Sequence, residues 1–163
     1  MQLADTRPSR GSRPPSPALP PLASLQATHR ELLLALNQLQ QLVKDVDRDG
    51  LTAESRAMAR SLVRFIDDIG RHHHAEEERL VFPALLDSGD VDLVQHVRRL
   101  QQDHGWLEED WLELGPQLDA LAHGIGGADM DTLASAVEVF SQLYRDHIAL
   151  EEGVVYPEAR RRA

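Results

Sequence analysis

Residues 73–83 read HHAEEERLVFP and residues 147–157 read HIALEEGVVYP. Both carry the phrase H-x-x-x-E-E-x-x-V-(F/Y)-P. In the first copy it is His73, Glu77, Glu78, Val81, Phe82 and Pro83; in the second it is His147, Glu151, Glu152, Val155, Tyr156 and Pro157. The copies lie 74 residues apart. On an α-helix, residues four apart share a face. Each copy therefore aims one imidazole and one carboxylate at a common point, and two such points facing each other make a site for two metal ions.

Outward from these copies the chain reads as four amphipathic helices, covering about residues 22–46, 53–86, 91–114 and 129–155. Apolar residues recur in steps of three and four: Leu22, Leu25, Leu32, Leu36, Leu39, Val43; Met58, Leu62, Ile66, Ile69; Leu93, Val97, Leu100, Leu107, Trp111, Leu114; Leu133, Val137, Phe140. Such stripes face a core. Thr52, with Ser55 three positions on, is a helix N-cap. Gly115-Pro116 predicts a break or kink in the third helix, with a continuation to Ala122, and Gly124-Ile125-Gly126-Gly127 is a loop. Pro83 and Pro157 stop or kink the second and fourth helices at the same level. No sustained period-two alternation marks a strand. Short connections favour antiparallel neighbours, so the expected fold is all-α, an up-down-up-down four-helix bundle.

Each stripe is interrupted by polar residues: His29 in the first, His73 with Glu77 in the second, His104 in the third, His147 with Glu151 in the fourth. A lone histidine in a seam is usually a hydrogen-bonded core residue. Six polar residues in register on four helices are not explained that way. Unpaired buried carboxylates are strongly unfavourable, and no Lys or Arg occupies the seams to pair with them. Bound cations resolve this, with imidazoles as fitting co-ligands. His29 and His73 are 44 residues apart and His104 and His147 are 43 apart, so the first two helices match the last two. In the natural partition His29 and His73 hold one ion and His104 and His147 the other. Glu77 and Glu151 bridge them, leaving open positions for an oxo or hydroxo bridge and a small exogenous ligand. Mixed nitrogen and oxygen donors suit iron or manganese better than four-coordinate zinc.

Composition narrows the alternatives. The chain of 163 residues has one domain's length, with residues 22–158 forming the bundle, 1–21 a Pro/Ser/Arg-rich tail expected to be disordered, and 159–163 a basic C-terminal tail. A net charge of −10 argues against nucleic acid and anionic membrane surfaces as partners. Cysteine is absent, which excludes disulfides, thiolate chemistry and cysteine-ligated clusters. No apolar run approaches a transmembrane length and no signal-peptide pattern precedes the first helix, so a cytoplasmic protein is expected.

The pattern His29, His73-x-x-x-Glu77, His104, His147-x-x-x-Glu151 resembles the hemerythrin-like family, also called the HHE cation-binding domain, over about residues 22–158. The resemblance implies a four-helix bundle with a non-haem di-iron centre, two iron ions that meet O₂, NO or hydrogen peroxide or that report on iron. It departs from the oxygen-carrying hemerythrins at two places. Where those have a second histidine on the third helix, this chain has Glu108, and their final His-x-x-x-x-Asp is here His147-x-x-x-Glu151. The departures resemble regulatory iron sensors, iron–sulfur repair proteins and peroxide-degrading relatives. They leave a vacancy that favours redox chemistry, such as catalase-like peroxide decomposition, unless Glu108 fills it. The alternative is a non-catalytic iron, oxygen or redox sensor read by a regulatory partner. A reductase partner belongs to the first of these expectations.

Other polar residues receive plainer assignments. His72 and His74 flank His73 at about 100° per residue and are expected to face solvent or neighbouring helices. His96 is assigned to packing or surface, His123 to a helix C-terminus. Glu78 and Glu152 repeat with the motif; a solvated face is the simplest account, orientation of ligating imidazoles the sharper one. Tyr144, one turn before His147, packs in the core, and with Glu108 it is a candidate proton donor to a bound oxygen species. Trp111 reads as core and Trp106 as rim.

Overall fold

A computed structural model describes residues 22–163. The tail expected over 1–21 lies outside the described residues. The chain forms α1 (Leu22–Asp49), α2 (Ala53–Leu80), a short α3 (Phe82–Leu86), α4 (Val91–Ala122) and α5 (Met130–Leu150). A π-helical turn (Glu151–Val155) then leads into α6 (Tyr156–Arg162). The four long helices close a ring in which α1 packs on α2 and α5, and α4 packs on the same two. This is the all-α bundle expected from the stripes. No described helix is long and apolar enough to cross a membrane.

Local chemistry sets the ends. Thr52 caps α2 through a reciprocal box: the Ser55 amide donates to its side chain, and the Thr52 amide donates to the Ser55 hydroxyl at 2.9 Å. Asp90 and Asp129 cap α4 and α5 by accepting from backbone amides of the first turn. Gly50, with φ of 75°, follows α1 in a conformation that disfavours a side chain. His123 is the C-cap of α4, its Nδ1 lying 2.8 Å from the Asp119 carbonyl.

One expectation about the helices is resolved and another corrected. Of the alternatives at Pro116 the break is not found, and α4 continues from Val91 to Ala122. A proline inside a helix costs about 3 kcal/mol. Here Leu114 and Leu118 on either side are both buried in the same apolar cluster, and Leu112, whose carbonyl loses its donor, stands on the solvent side at 68% exposure. Met58 is an exposed residue of α2, and Ala59 beside it faces the core. The seam of α2 therefore runs Ser55, Ala59, Leu62, Ile66, Gly70, His73.

The buried apolar residues fall into two separate clusters. The larger one holds Leu32 to Val46 of α1, Ala59 to Ile66 of α2, Leu107 to Ala122 of α4 and Leu133 to Ile148 of α5. The smaller holds Leu22 and Leu25, Val81, Phe82 and Leu85, Leu93 to Leu100, and Val155, Tyr156 and Ala159. Between them, on every long helix, lie the polar residues of the seam. A polar layer therefore divides the core, and apolar side chains seal it from both ends.

Candidate metal centre

The six seam residues meet in this layer. His29, Glu77 and Glu151 are fully buried, and His73, His104 and His147 nearly so. Among these six residues, two groups have donor atoms close enough to hold one ion: His29, His73, Glu77 and Glu151, and His104, His147, Glu77 and Glu151. They share the carboxylates and divide the imidazoles in the pairs suggested by the 44- and 43-residue spacings.

The carboxylate orientations are specific. Glu77 turns Oε1 toward His73 Nε2 (3.3 Å) and His29 Nε2 (3.9 Å), and Oε2 toward His104 Nε2 (3.4 Å). Glu151 turns Oε2 toward His29 Nε2 (3.1 Å), and Oε1 toward His147 Nε2 (3.1 Å) and His104 Nε2 (4.0 Å). Each carboxylate thus offers one oxygen to each histidine pair. Among the described residues every ion-pair neighbour of Glu77 and Glu151 is a histidine.

Outside this ring, Glu152 lies 2.9 Å from His29 Nδ1, and Glu78 lies 2.8 Å from His104 Nδ1. The second glutamate of each motif copy therefore fixes the histidine contributed by another helix and turns its Nε2 inward. Asp103, itself 2% exposed, is the carboxylate nearest His147 Nδ1, at 3.7 Å. Aromatic rings cover the same two histidines. Tyr156 stacks on His29 at 5.4 Å and Phe82 on His104 at 5.6 Å between centroids. The Tyr156 hydroxyl also donates to Glu77 Oε1.

These groups do not satisfy one another. Glu77 Oε2, both oxygens of Glu151, His104 Nε2 and both ring nitrogens of His73 and His147 are buried without a hydrogen-bond partner. Buried polar atoms of native proteins are nearly always paired. So many inward-facing lone pairs at one place fit cations, and the donor set, imidazole and carboxylate without thiolate, fits iron or manganese.

Without a cation the layer divides its charge unequally. Burial pushes Glu77 upward, but the His104 and His73 imidazoles beside it and the Tyr156 hydroxyl outweigh it and hold Glu77 below the usual carboxylate range. Glu151 is pushed up to about 8 by burial and by the Glu77 charge beside it. Burial drives His73 down to about 4 and His74 to about 2. At His29 burial is outweighed by Glu151 and Glu152, and the pKa is raised.

Three nearby residues are not evident from spacing. His74, expected to face solvent or a neighbouring helix, does the latter: it is 4% exposed and stacks on His104 of α4. Asp103 sits on the shoulder of the α4 seam. Tyr156 follows Glu151 by five residues, which on an α-helix turns it about 140° away. The π turn restores it to the same side, and the Tyr156 amide donates to the Glu151 carbonyl across that wider turn. The repetition of Phe or Tyr at this place in the motif is the available signal. The same π turn makes Val155 the core residue, with Val154 only half-buried.

Of the proton-donor candidates, Tyr144 is buried, with its hydroxyl 3.2 Å from His74 Nε2. Glu108 is exposed and belongs to neither ion-holding group. It stands at the rim of a crevice of about 70 Å³ between α2, α4 and α5. The crevice is walled by Ile66, Leu107, Trp111 and Phe140, and its buried end is His74 and Tyr144. Trp111 is held across it by its indole N–H, which donates to Asp67 at 2.7 Å.

A sequence model described as the hemerythrin HHE cation binding domain matches residues 21–159. A protein of Haemophilus influenzae (strain ATCC 51907 / DSM 11121 / KW20 / Rd), described only as uncharacterized, is similar to this chain. It is 28% identical over 132 residues, which is 81% of this chain and 74% of its own length. No solved structure matches.

Proposed function

The chain belongs to the hemerythrin HHE cation-binding family, and on that premise we propose that it is a non-haem di-iron protein that binds or reacts with a small oxidant, O₂, NO or hydrogen peroxide. His29 and His73 hold one iron, His104 and His147 the other, and Glu77 and Glu151 span the two. The observation that carries this is the split of each carboxylate, one oxygen toward each histidine pair. A carboxylate serving a single ion has no reason to face two sets of imidazoles.

Two iron ions supply one-electron couples that together handle a two-electron substrate; manganese suits the same donors, and the preference for iron rests on the family. The protein's part is positional. Glu78 and Glu152 hold the His104 and His29 rings in the orientation that presents Nε2. The apolar clusters on both sides exclude water from the layer. The Tyr156 hydroxyl, bonded to Glu77, carries a proton at the edge of the centre, and Tyr144 holds another at the end of the crevice. The proposal extends to a cytoplasmic protein that takes a small-molecule ligand, with a reductase as electron donor and neither nucleic acid nor membrane as partner.

Metal analysis of the purified protein tests this directly, with two irons per chain expected and none overturning it. The near-ultraviolet charge-transfer spectrum of the loaded protein, followed on addition of O₂, NO or peroxide, then identifies the ligand. Peroxide turnover that survives His147→Ala is due to loose iron and removes the enzymatic version.

One structural relation favours the sensor alternative. Glu151 opens the π turn that leads into α6, and α6 is anchored by buried Tyr156 and Ala159. Metal occupancy at Glu151 is thereby tied to the seating of the C-terminal helix, a change a regulatory partner can read. Proteolysis with and without iron checks it; identical cleavage around residues 150–163 rules out that coupling.

A further inference from the structure

Asp103 is a carboxylate that packing alone does not explain. It is 2% exposed, and its Oδ1 is buried without a hydrogen-bond partner. Two basic groups reach its other oxygen. Arg99, one turn earlier on α4, stands 3.8 Å from Oδ2, and His147 of α5 stands 3.7 Å from it through Nδ1. The Arg99 side chain is mostly exposed. An ion pair that loose on an exposed side chain contributes little, and burying a poorly paired carboxylate is strongly unfavourable. Arg99 therefore does not account for Asp103, and leucine would fill the place without that cost.

His147 has the complementary need. Its Nε2 points into the polar layer, 3.1 Å from Glu151 Oε1, and its Nδ1 points away, toward Asp103, buried without a hydrogen-bond partner. The rings of His29 and His104 are set the same way, and each has a carboxylate at Nδ1: Glu152 at 2.9 Å and Glu78 at 2.8 Å. Those two rings engage the second glutamates of both motif copies, so the motif has none left for His147. The gap to Asp103 is about 0.8 Å longer than a usual N–H···O bond.

We propose that Asp103 is the positioning residue of His147, its carboxylate accepting the Nδ1 proton when Nε2 serves the metal. This rests on the two-metal reading above. Donation from Nδ1 selects the tautomer that leaves Nε2 free to coordinate. An anionic acceptor also makes the imidazole a stronger donor, which favours the oxidised metal. Glu78 and Glu152 act from partly exposed positions, whereas Asp103 acts out of water, where its charge is little screened.

Three variants of the full chain decide it. In iron-loaded Asp103→Leu, competition with a chromophoric chelator should show one iron weakened by about 10–100-fold. Asp103→Asn keeps the shape and an acceptor oxygen and loses the charge. It should bind that iron more tightly than Asp103→Leu does, with a reduction potential above that of the wild type in a redox titration. Arg99→Ala should match the wild type in both readouts. Wild-type affinity in Asp103→Leu overturns the assignment, as does an unchanged potential in Asp103→Asn or an equal loss of affinity in Arg99→Ala; each leaves the two-metal reading intact. A wild type that binds no iron removes that reading and this assignment with it. If Asp103→Leu is unfolded or less stable without metal, as judged by circular dichroism, the potential of the shape-preserving Asp103→Asn decides.

Discussion

Tyr156 stands to His29 as Phe82 stands to His104, ring over ring at nearly the same distance, and only Tyr156 carries a hydroxyl to donate to Glu77. Each motif copy sets an aromatic ring over an imidazole of another helix, and of the two rings one carries an oxygen atom that the other lacks. That atom helps hold Glu77 ionised in the metal-free protein, against a burial that favours its neutral form. Tyr156→Phe keeps the ring and its stacking and removes a bond to a buried charge, worth about 1.5–3 kcal/mol. Urea unfolding in the presence of chelator should show a loss of that size. An unchanged midpoint would mean that Glu77 does not depend on the hydroxyl.

Glu151 is the weak point of the metal-free fold. Its pKa is raised to about 8 in the native state, against about 4.3 in an unfolded chain. A carboxyl raised on folding favours the native state fully below its unfolded pKa, and that advantage disappears as pH rises through the native pKa. Metal-free stability should therefore lose this contribution between about pH 4 and 8. Glu151→Gln, neutral and of the same shape, should stabilise the metal-free protein by about 1–3 kcal/mol at pH 8 and by little at pH 4. It should also bind metal poorly. Calorimetry in chelator at both pH values checks the first effect, and metal analysis the second. Equal effects at the two pH values would remove Glu151 as the titrating group.

How far the chain can be read from its sequence depends on whether side chains follow the α-helical period. His29, His73, Glu77, His104, His147 and Glu151 do, and the fold brings all six together. The Thr52 cap is legible because its chemistry is local. Tyr156 is not, because five residues is the wrong step for an α-helix, and only the π turn returns it to the seam. His74 escapes the pattern because a residue 100° from a seam faces a neighbouring helix. What that neighbour offers, here Tyr144 and the space above Gly70, is tertiary information. Pro116 reads locally as a break because the burial of Leu114 and Leu118 does not appear in a local rule.

Glu78 and Glu152 are open to a bland reading as solvated residues, and both instead accept from a buried imidazole of another helix. Their side chains remain partly exposed, at 43% and 38%, so their removal should leave the fold almost untouched. Glu78→Ala or Glu152→Ala should lower metal affinity by about 10–100-fold, each at the ion of the histidine it orients. Chelator competition measures this, and melting temperatures serve as the control. A fall in stability without a fall in affinity would assign these residues to folding alone.

Metal binding should be coupled to protons in a predictable direction. At neutral pH the metal-free centre keeps a proton on Glu151 and a raised pKa at His29, whereas His73 and His74 are already neutral. Ligands must be unprotonated to coordinate. Loading at pH 7 therefore expels the Glu151 proton, with a further contribution from His29 and none from His73 or His74. Affinity should climb with pH through about 8, where Glu151 gives up its proton, and flatten above it. Titration calorimetry in buffers of different ionisation enthalpy reads the proton count at each pH. Release that is equally large at pH 9, or absent at pH 7, contradicts a buried carboxyl waiting for a cation to replace its proton.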